Sequence, residues 1–214
     1  MGNRGFLRAV AAALAVSGAV VPARAEPPAQ SHWAEPQLQG FFDALQDARS
    51  PDEARRIEAS IERRLARSHS PTIDLLMDRA RAAQSRGDLS AARELLTKSV
   101  VLDPEYAEAY RLRGDLAARQ HQYAQAIDDL EQAVKLQPRH YLALQSLGKL
   151  YEDGRDRESA IANYQSALAL DPWLEQSQSG LKRLGLSSSQ IGAANAVKPG
   201  AKAADSKLAG RGGV

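Results

Sequence analysis

The sequence predicts an all-α fold built of stacked helical hairpins, and three observations carry that prediction. Four sets of residues recur every 34 positions: Pro104, Pro138 and Pro172; Ala92, Ala126 and Ala160; Ala80, Gly114 and Gly148; Ser99, Ala133 and Ala167. A fixed period of this length marks a repeat architecture, and the small residues in the register let two helices approach closely. Within the units, apolar residues recur at helical spacing: Leu89, Ala92, Leu95 and Leu96 in one helix, Tyr123, Ala126, Ile127, Leu130, Ala133 and Val134 in another. Aromatic residues make up only 5% of the 214-residue chain and cysteine is absent, so the core must be mostly Ala and Leu without disulfides or thiolate metal sites.

Each element has a reason in the sequence. Residues 1–25 read as a secretory signal: Arg4 and Arg8, an apolar and small stretch from Ala9 to Val21, then Ala23-Arg24-Ala25 as a cleavage site. The apolar stretch is shorter than a spanning helix requires. Residues 26–34 form a linker, and 35–69 a divergent helical hairpin with Leu38, Phe41, Phe42 and Leu45 on one helix and Ile57, Ile61 and Leu65 on the next. Ser50, Pro51 and Glu53 open that second helix as a capping box, and Ser70-Pro71 repeats the capping logic at the first clear repeat. The repeats span 70–106, 107–140 and 141–172. Each pairs two helices across a break, at Gly87-Asp88, His121-Gln122 and Gly154, and each second helix stops before a proline. A stack needs covers at its ends. The divergent hairpin is expected at the front, and a helix over 173–185, carrying Trp173, Leu174, Leu181 and Leu184, at the back. The tail 186–214, poor in large apolar residues, is expected to be disordered and dispensable for folding.

The third unit reads Leu144-x2-Leu147-Gly148-x2-Tyr151, then Ala160-x3-Tyr164, Ala167 and Pro172. In this it resembles the tetratricopeptide repeat, a resemblance that covers about residues 73–172. The second unit (Tyr110, Gly114, Ala126, Leu130, Ala133, Pro138) follows the pattern closely, and the first (Leu76, Ala80, Gly87, Ala92, Leu96, Pro104) more loosely. Arg79 and Arg113 depart from it where Leu is usual, with stems expected to pack while the guanidinium reaches water. The resemblance implies a right-handed superhelix with a concave groove lined by the first helix of each hairpin. The implied groove residues are Asp74, Met77, Arg81, Gln84 and Ser85; Glu108, Arg111, Asp115, Ala118 and Arg119; and Leu142, Gln145, Lys149, Glu152 and Asp153. The Lys-and-Asn clamp by which some relatives hold a C-terminal carboxylate would need Lys at Met77 and Asn at Arg81, and neither is present.

No catalytic constellation accompanies the repeats. The histidines (His32, His69, His121, His140) are not in metal-ligand spacing, and three of them fall at predicted helix ends or turns as ordinary polar residues. Acid pairs such as Asp128-Asp129 read as solvated faces. The first 25 residues hold three of the 28 basic residues and none of the 26 acids, so the remaining chain is slightly acidic with mixed charges. No basic stripe for nucleic acid is evident. The expectation is a non-catalytic, exported, periplasmic adaptor without a cofactor, whose groove holds a peptide or helix of an envelope protein. Arg111, Arg119 and Lys149 would form its attractive part. The alternative is a structural part of an envelope assembly, held through its convex face or end caps.

Overall fold

The computed structural model describes residues 36–195. The signal and linker read from the sequence, and the tail beyond 195, lie outside them. Ten α-helices are described: α1 (Pro36–Gln46), α2 (Pro51–Leu65), α3 (Pro71–Ser85), α4 (Leu89–Leu102), α5 (Ala107–Arg119), α6 (Tyr123–Leu136), α7 (Tyr141–Asp153), α8 (Arg157–Leu170), α9 (Glu175–Arg183) and α10 (Ser188–Asn195). Repeats one to three are α3–α4, α5–α6 and α7–α8.

The register residues sit where the helices cross. Ala80, Ala92, Ala126, Ala133, Ala160 and Ala167 are all fully buried. A Cβ on Gly114 would lie 2.9 Å from Leu130 Cγ, and one on Gly148 would lie 2.6 Å from Tyr164 Cδ1. Only glycine admits these approaches. The Tyr164 ring is in turn closed on its other side by Gly180 of α9, whose added Cβ would meet Cε2 at 2.4 Å. Leu168, Leu181 and Ile191 surround it.

The turns share one backbone device, since Gly87 (φ 79°), His121 (φ 60°) and Arg155 (φ 62°) are left-handed and 34 residues apart. The sequence reading placed the third break at Gly154. That glycine is ordinary αR at the helix end, and the left-handed residue is Arg155. Asp88 and Asp156 cap α4 and α8 by accepting from Ala91 N (3.0 Å) and Ser159 N (3.1 Å). Ser50 caps α2 as expected, accepting from Glu53 N at 3.2 Å, while Glu53 Oε2 accepts from Arg49 N. Ser70 does not cap α3 with its side chain. There Asp74 pins the preceding turn by accepting from Ser68 N at 2.7 Å.

Three expectations are corrected. The tail does not lose structure at 186: α10 follows, and Ile191 is buried against the last repeat and α9. Arg113 does not direct its guanidinium to water. Nε and Nη2 donate to the buried Asp129 carboxylate at 2.8 and 2.6 Å, a forked pair across the hairpin. The divergent hairpin does not cover the front of repeat one. It lies along the edge of the stack where the turns between repeats emerge. Leu38, Phe42, Leu45, Ala54 and Ile61 join one buried cluster with Tyr141, Leu144, Ala167 and Leu170, and Trp173 and Leu174 pack beside it. Gln46 Nε2 donates to Ala169 O at 2.9 Å, and Tyr106 Oη donates to Leu65 O at 3.2 Å. The pair therefore straps the end of repeat one to the end of repeat three. Repeat one is left with Leu75, Val101 and Leu102 exposed at 51%, 72% and 58%.

Candidate functional site

The first helices α3, α5 and α7 line the concave side, and their side chains divide it into two recesses. The upper one, of ≈ 370 Å³, lies under α2, between Glu62 and Leu65 on one side and Arg81, Glu108, Arg111 and His140 on the other. The lower one, of ≈ 580 Å³, is open and runs past Gln84, Asp115, Arg119, Gln145 and Lys149, with Leu142 shared between the two.

An ion network fills the wall of the upper recess. Arg111 Nε and Nη2 donate to the two oxygens of Glu108, both at 2.7 Å, and Nη1 donates to Asp115 Oδ2 at 2.6 Å. Glu108 also meets His140 Nε2 at 3.1 Å and Arg81 Nη2 at 3.6 Å. Burial alone would raise the Glu108 carboxyl, but the Arg111 guanidinium, with His140 behind it, holds it well below the usual carboxylate range. The same pairing holds the Arg111 guanidinium firmly charged against its own burial. This network sets the wall rigidly and leaves Arg111 little charge to offer.

The other groove positions sort by what they touch. Met77 is fully buried in the core shared by the first two repeats and is not a groove residue; its long, unbranched side chain fills space between α3 and α5. Glu108 is buried as well and acts as the hub of the network. Glu152 faces away from the open recess: Arg183 of α9 grips it with Nε and Nη2 at 2.7 and 2.8 Å, and Tyr164 Oη donates at 2.8 Å. The Arg183 bonds hold its carboxyl down to about 2. Asp74 serves the turn before α3, and Ser85 Oγ donates to Ala82 O. Arg81 pairs with Asp78 at 3.2 Å, and Gln145 Nε2 donates to Gln176 Oε1 at 2.8 Å. Lys149 pairs with Asp153. Arg119 is exposed and carries no ion pair among the described residues. Arg111, Arg119 and Lys149 do border one recess, as the sequence suggested, with Asp115 and Asp153 opposing them.

The sequence reading missed His140. It treated this residue as an ordinary polar residue at a helix end, yet the side chain is wholly buried against Glu108. Its place immediately before Tyr141, on a turn that the hairpin covers, is what buries it. Among the described residues no group of three or more His, Asp or Glu is placed to hold a metal ion, and no helix is long and apolar enough to cross a membrane.

Comparison with known proteins agrees with this geometry. Family profiles described as tetratricopeptide repeat match residues 77–120, 107–140 and 141–172. A TPR repeat-containing protein of Rhizobium etli is 28% identical over 136 residues, covering 64% of this chain and 67% of that protein. Cellulose synthase operon protein C of Escherichia coli is 37% identical over 89 residues, which is 41% of this chain but only 8% of that protein. Among solved structures, the first TPR of Spaghetti (RPAP3) bound to the HSP90 peptide SRMEEVD superposes with a TM-score of 0.52 at 22% identity, over 58% of this chain and 95% of that one. The period, the closely crossed hairpins and these matches together make the chain a member of the tetratricopeptide-repeat family across residues 77–172.

Proposed function

We propose that the chain is a non-catalytic adaptor that holds a segment of another protein in the open lower half of its concave groove. The observation that carries this reading is the ≈ 580 Å³ recess in which Arg119 stands without an ion pair beside Leu142, Gln145 and Tyr123. A partner carboxylate would meet Arg119 while apolar side chains lie on Leu142 and Tyr123, and Asp115 and Asp153 would repel a wrong register. The Spaghetti domain, with a peptide bound to the same fold, supports the reading. The Ala23-Arg24-Ala25 site supports export and a partner in the cell envelope. Amino-terminal sequencing of the mature protein tests that part and should begin at Glu26; an intact Met1 in the membrane fraction would contradict it.

The groove is tested with Arg119→Glu and Lys149→Glu together. Both residues are exposed, so helicity by circular dichroism should be unchanged, while recovery of partners from an envelope extract should fall sharply and wild-type binding should weaken with salt. Equal recovery would exclude the lower recess. A second reading, a structural part of an assembly, is favoured by the exposed Leu75, Val101 and Leu102 on the uncovered first repeat. Val101→Glu would abolish that assembly and spare the groove.

A further inference from the structure

The seam between the α1–α2 hairpin and the repeats is built unlike the rest of the molecule. Six buried side-chain polar atoms lack a hydrogen-bond partner among the described residues. Four of them, Arg139 Nε, His140 Nδ1, Tyr141 Oη and Asp171 Oδ2, belong to the two turns that the hairpin covers, and the other two, Arg81 Nη2 and Gln84 Nε2, belong to the groove wall. Buried polar groups are normally satisfied, and each one that is not weakens the closed seam relative to an opened one in which water reaches it. The seam also brings like charges together. Glu58 and Glu62 of α2 face Asp171, and burial together with those carboxylates pushes Asp171 up to about 7.

Against these unfavourable features stands a specific set of contacts. Phe42 enters between Tyr141, whose ring meets it edge-on at 6.3 Å, and Arg139, whose guanidinium lies 4.2 Å from the ring centroid. Asp43, one residue on, pairs with Arg139 at 3.6 Å. Leu38 and Leu45 flank Phe42 on the same helix face. The seat thus reads a helix bearing Leu-x3-Phe-Asp-x-Leu by an aromatic slot, a cation and an apolar floor of Leu144, Leu170 and Trp173.

We propose that α1–α2 is a releasable self-ligand, and that its seat on the turns of repeats two and three is a docking site for an amphipathic partner helix carrying the same Leu-x3-Phe-Asp-x-Leu face. The hairpin is tethered by the short turn between Leu65 and Pro71. It competes for the seat at an effective concentration of about millimolar, so a partner succeeds only with a better-satisfied helix or when the hairpin is weakened. Release also uncovers the upper recess beneath α2, joining it to the open lower one through Leu142. This surface is separate from the lower groove, and neither reading depends on the other.

The test uses the full chain and a fluorescent peptide copying residues 36–65, read by anisotropy. Wild-type protein should bind it weakly, because the seat is filled. Phe42→Ala in the chain should tighten binding at least about tenfold, since removing a buried aromatic from the resident hairpin weakens it strongly. A peptide carrying Phe42→Ala should not bind. Because the chain has no cysteine, Gln46→Cys with Ala169→Cys can be joined by a short bismaleimide, and the joined protein should lose binding. If the Phe42→Ala chain keeps its helicity and binds no tighter than wild type, or takes both peptides equally, the proposal fails. Hydrogen exchange on unmodified protein gives an independent arm. Amides of α1 and α2 should exchange together and faster than those of α5 to α8; equal protection would mean the hairpin does not release. A concentration-dependent dimer with exchanged hairpins would overturn the partner helix in favour of a second copy.

Discussion

Substituting Gly148 by Ala is a sharp test of the helix crossing in repeat three. Removing a glycine from a helix interior normally stabilises by up to about 1 kcal/mol. Here the new Cβ would stand 2.6, 2.8 and 2.9 Å from Cδ1, Cε1 and Cγ of Tyr164. To restore ordinary contact the ring must withdraw by roughly 0.8 Å, against the scale of normal carbon–carbon separations. It has nowhere to go. Gly180 closes its other side, where an added Cβ would meet Cε2 at 2.4 Å, and the hydroxyl is tied to Glu152 at 2.8 Å. Overpacking of this kind costs about 1–3 kcal/mol, which exceeds the propensity gain. At ~2–4 °C per kcal/mol for a chain of this size, the thermal midpoint should fall by several degrees. Gly40 of α1 is the matched control, since a Cβ there meets nothing within 4 Å and Gly40→Ala should raise the midpoint. Differential scanning calorimetry on both variants reads the contrast. In a Tyr164→Leu background the Gly148→Ala penalty should disappear, which a double-mutant cycle measures. If Gly148→Ala stabilises as Gly40→Ala does, the crossing is not closed as described.

Two further outcomes follow from other parts of the chain. Asp171 is raised from an ordinary 3.8 to about 7, so the folded state holds a proton that the unfolded chain has released, and its stabilising effect is lost as pH rises through about 7. Asp171→Asn keeps the acceptor for Trp173 N (3.0 Å) and removes the charge. Its thermal midpoint should stay flat between pH 6 and 8 while the wild type falls, with a gain at pH 8 of at most about 4 kcal/mol; a variant less stable at both pH values would show that the carboxylate is favourably paired. Truncation after Ser187 removes the buried Ile191, worth about 1.5–3 kcal/mol, and should lower the midpoint, whereas an unchanged melt would mean that α10 does not dock.

The repeats were legible because their determinants are local and periodic. Ala80, Gly114 and Gly148 stand at the same crossing in successive hairpins, and a side chain that must be small leaves the same mark each time. The hairpin's location was not legible, because its partners, Tyr141, Leu170 and Trp173, lie some 100 residues away and outside any period. The groove was half legible. The pattern names which positions face inward, and Arg119, Gln145 and Lys149 do so. It does not say which of them the protein uses for itself. Met77 is drawn into the core because repeat two packs over it, Glu108 is consumed by Arg111 one turn along the same helix, and Glu152 by Arg183 of α9, partners that the repeat pattern does not specify.

The strap from Gln46 to Ala169 spans 123 residues, and it changes how the molecule is made. A plain solenoid can assemble in the order it is synthesised, because each repeat needs only the one before it. Here, among the described helices, the first to be synthesised are those whose seat is completed last. At ~5–20 residues per second, α1 waits roughly 6–25 s for α8, and through that interval Leu38, Phe42 and Leu45 have no native partner across the seam. Until α8 is complete, the chain therefore presents an apolar helical face without its seat. Once the strap closes, Tyr106 at the end of repeat one, Tyr141 after repeat two and Leu170 at the end of repeat three are held against one hairpin, and separating those segments must break that seam.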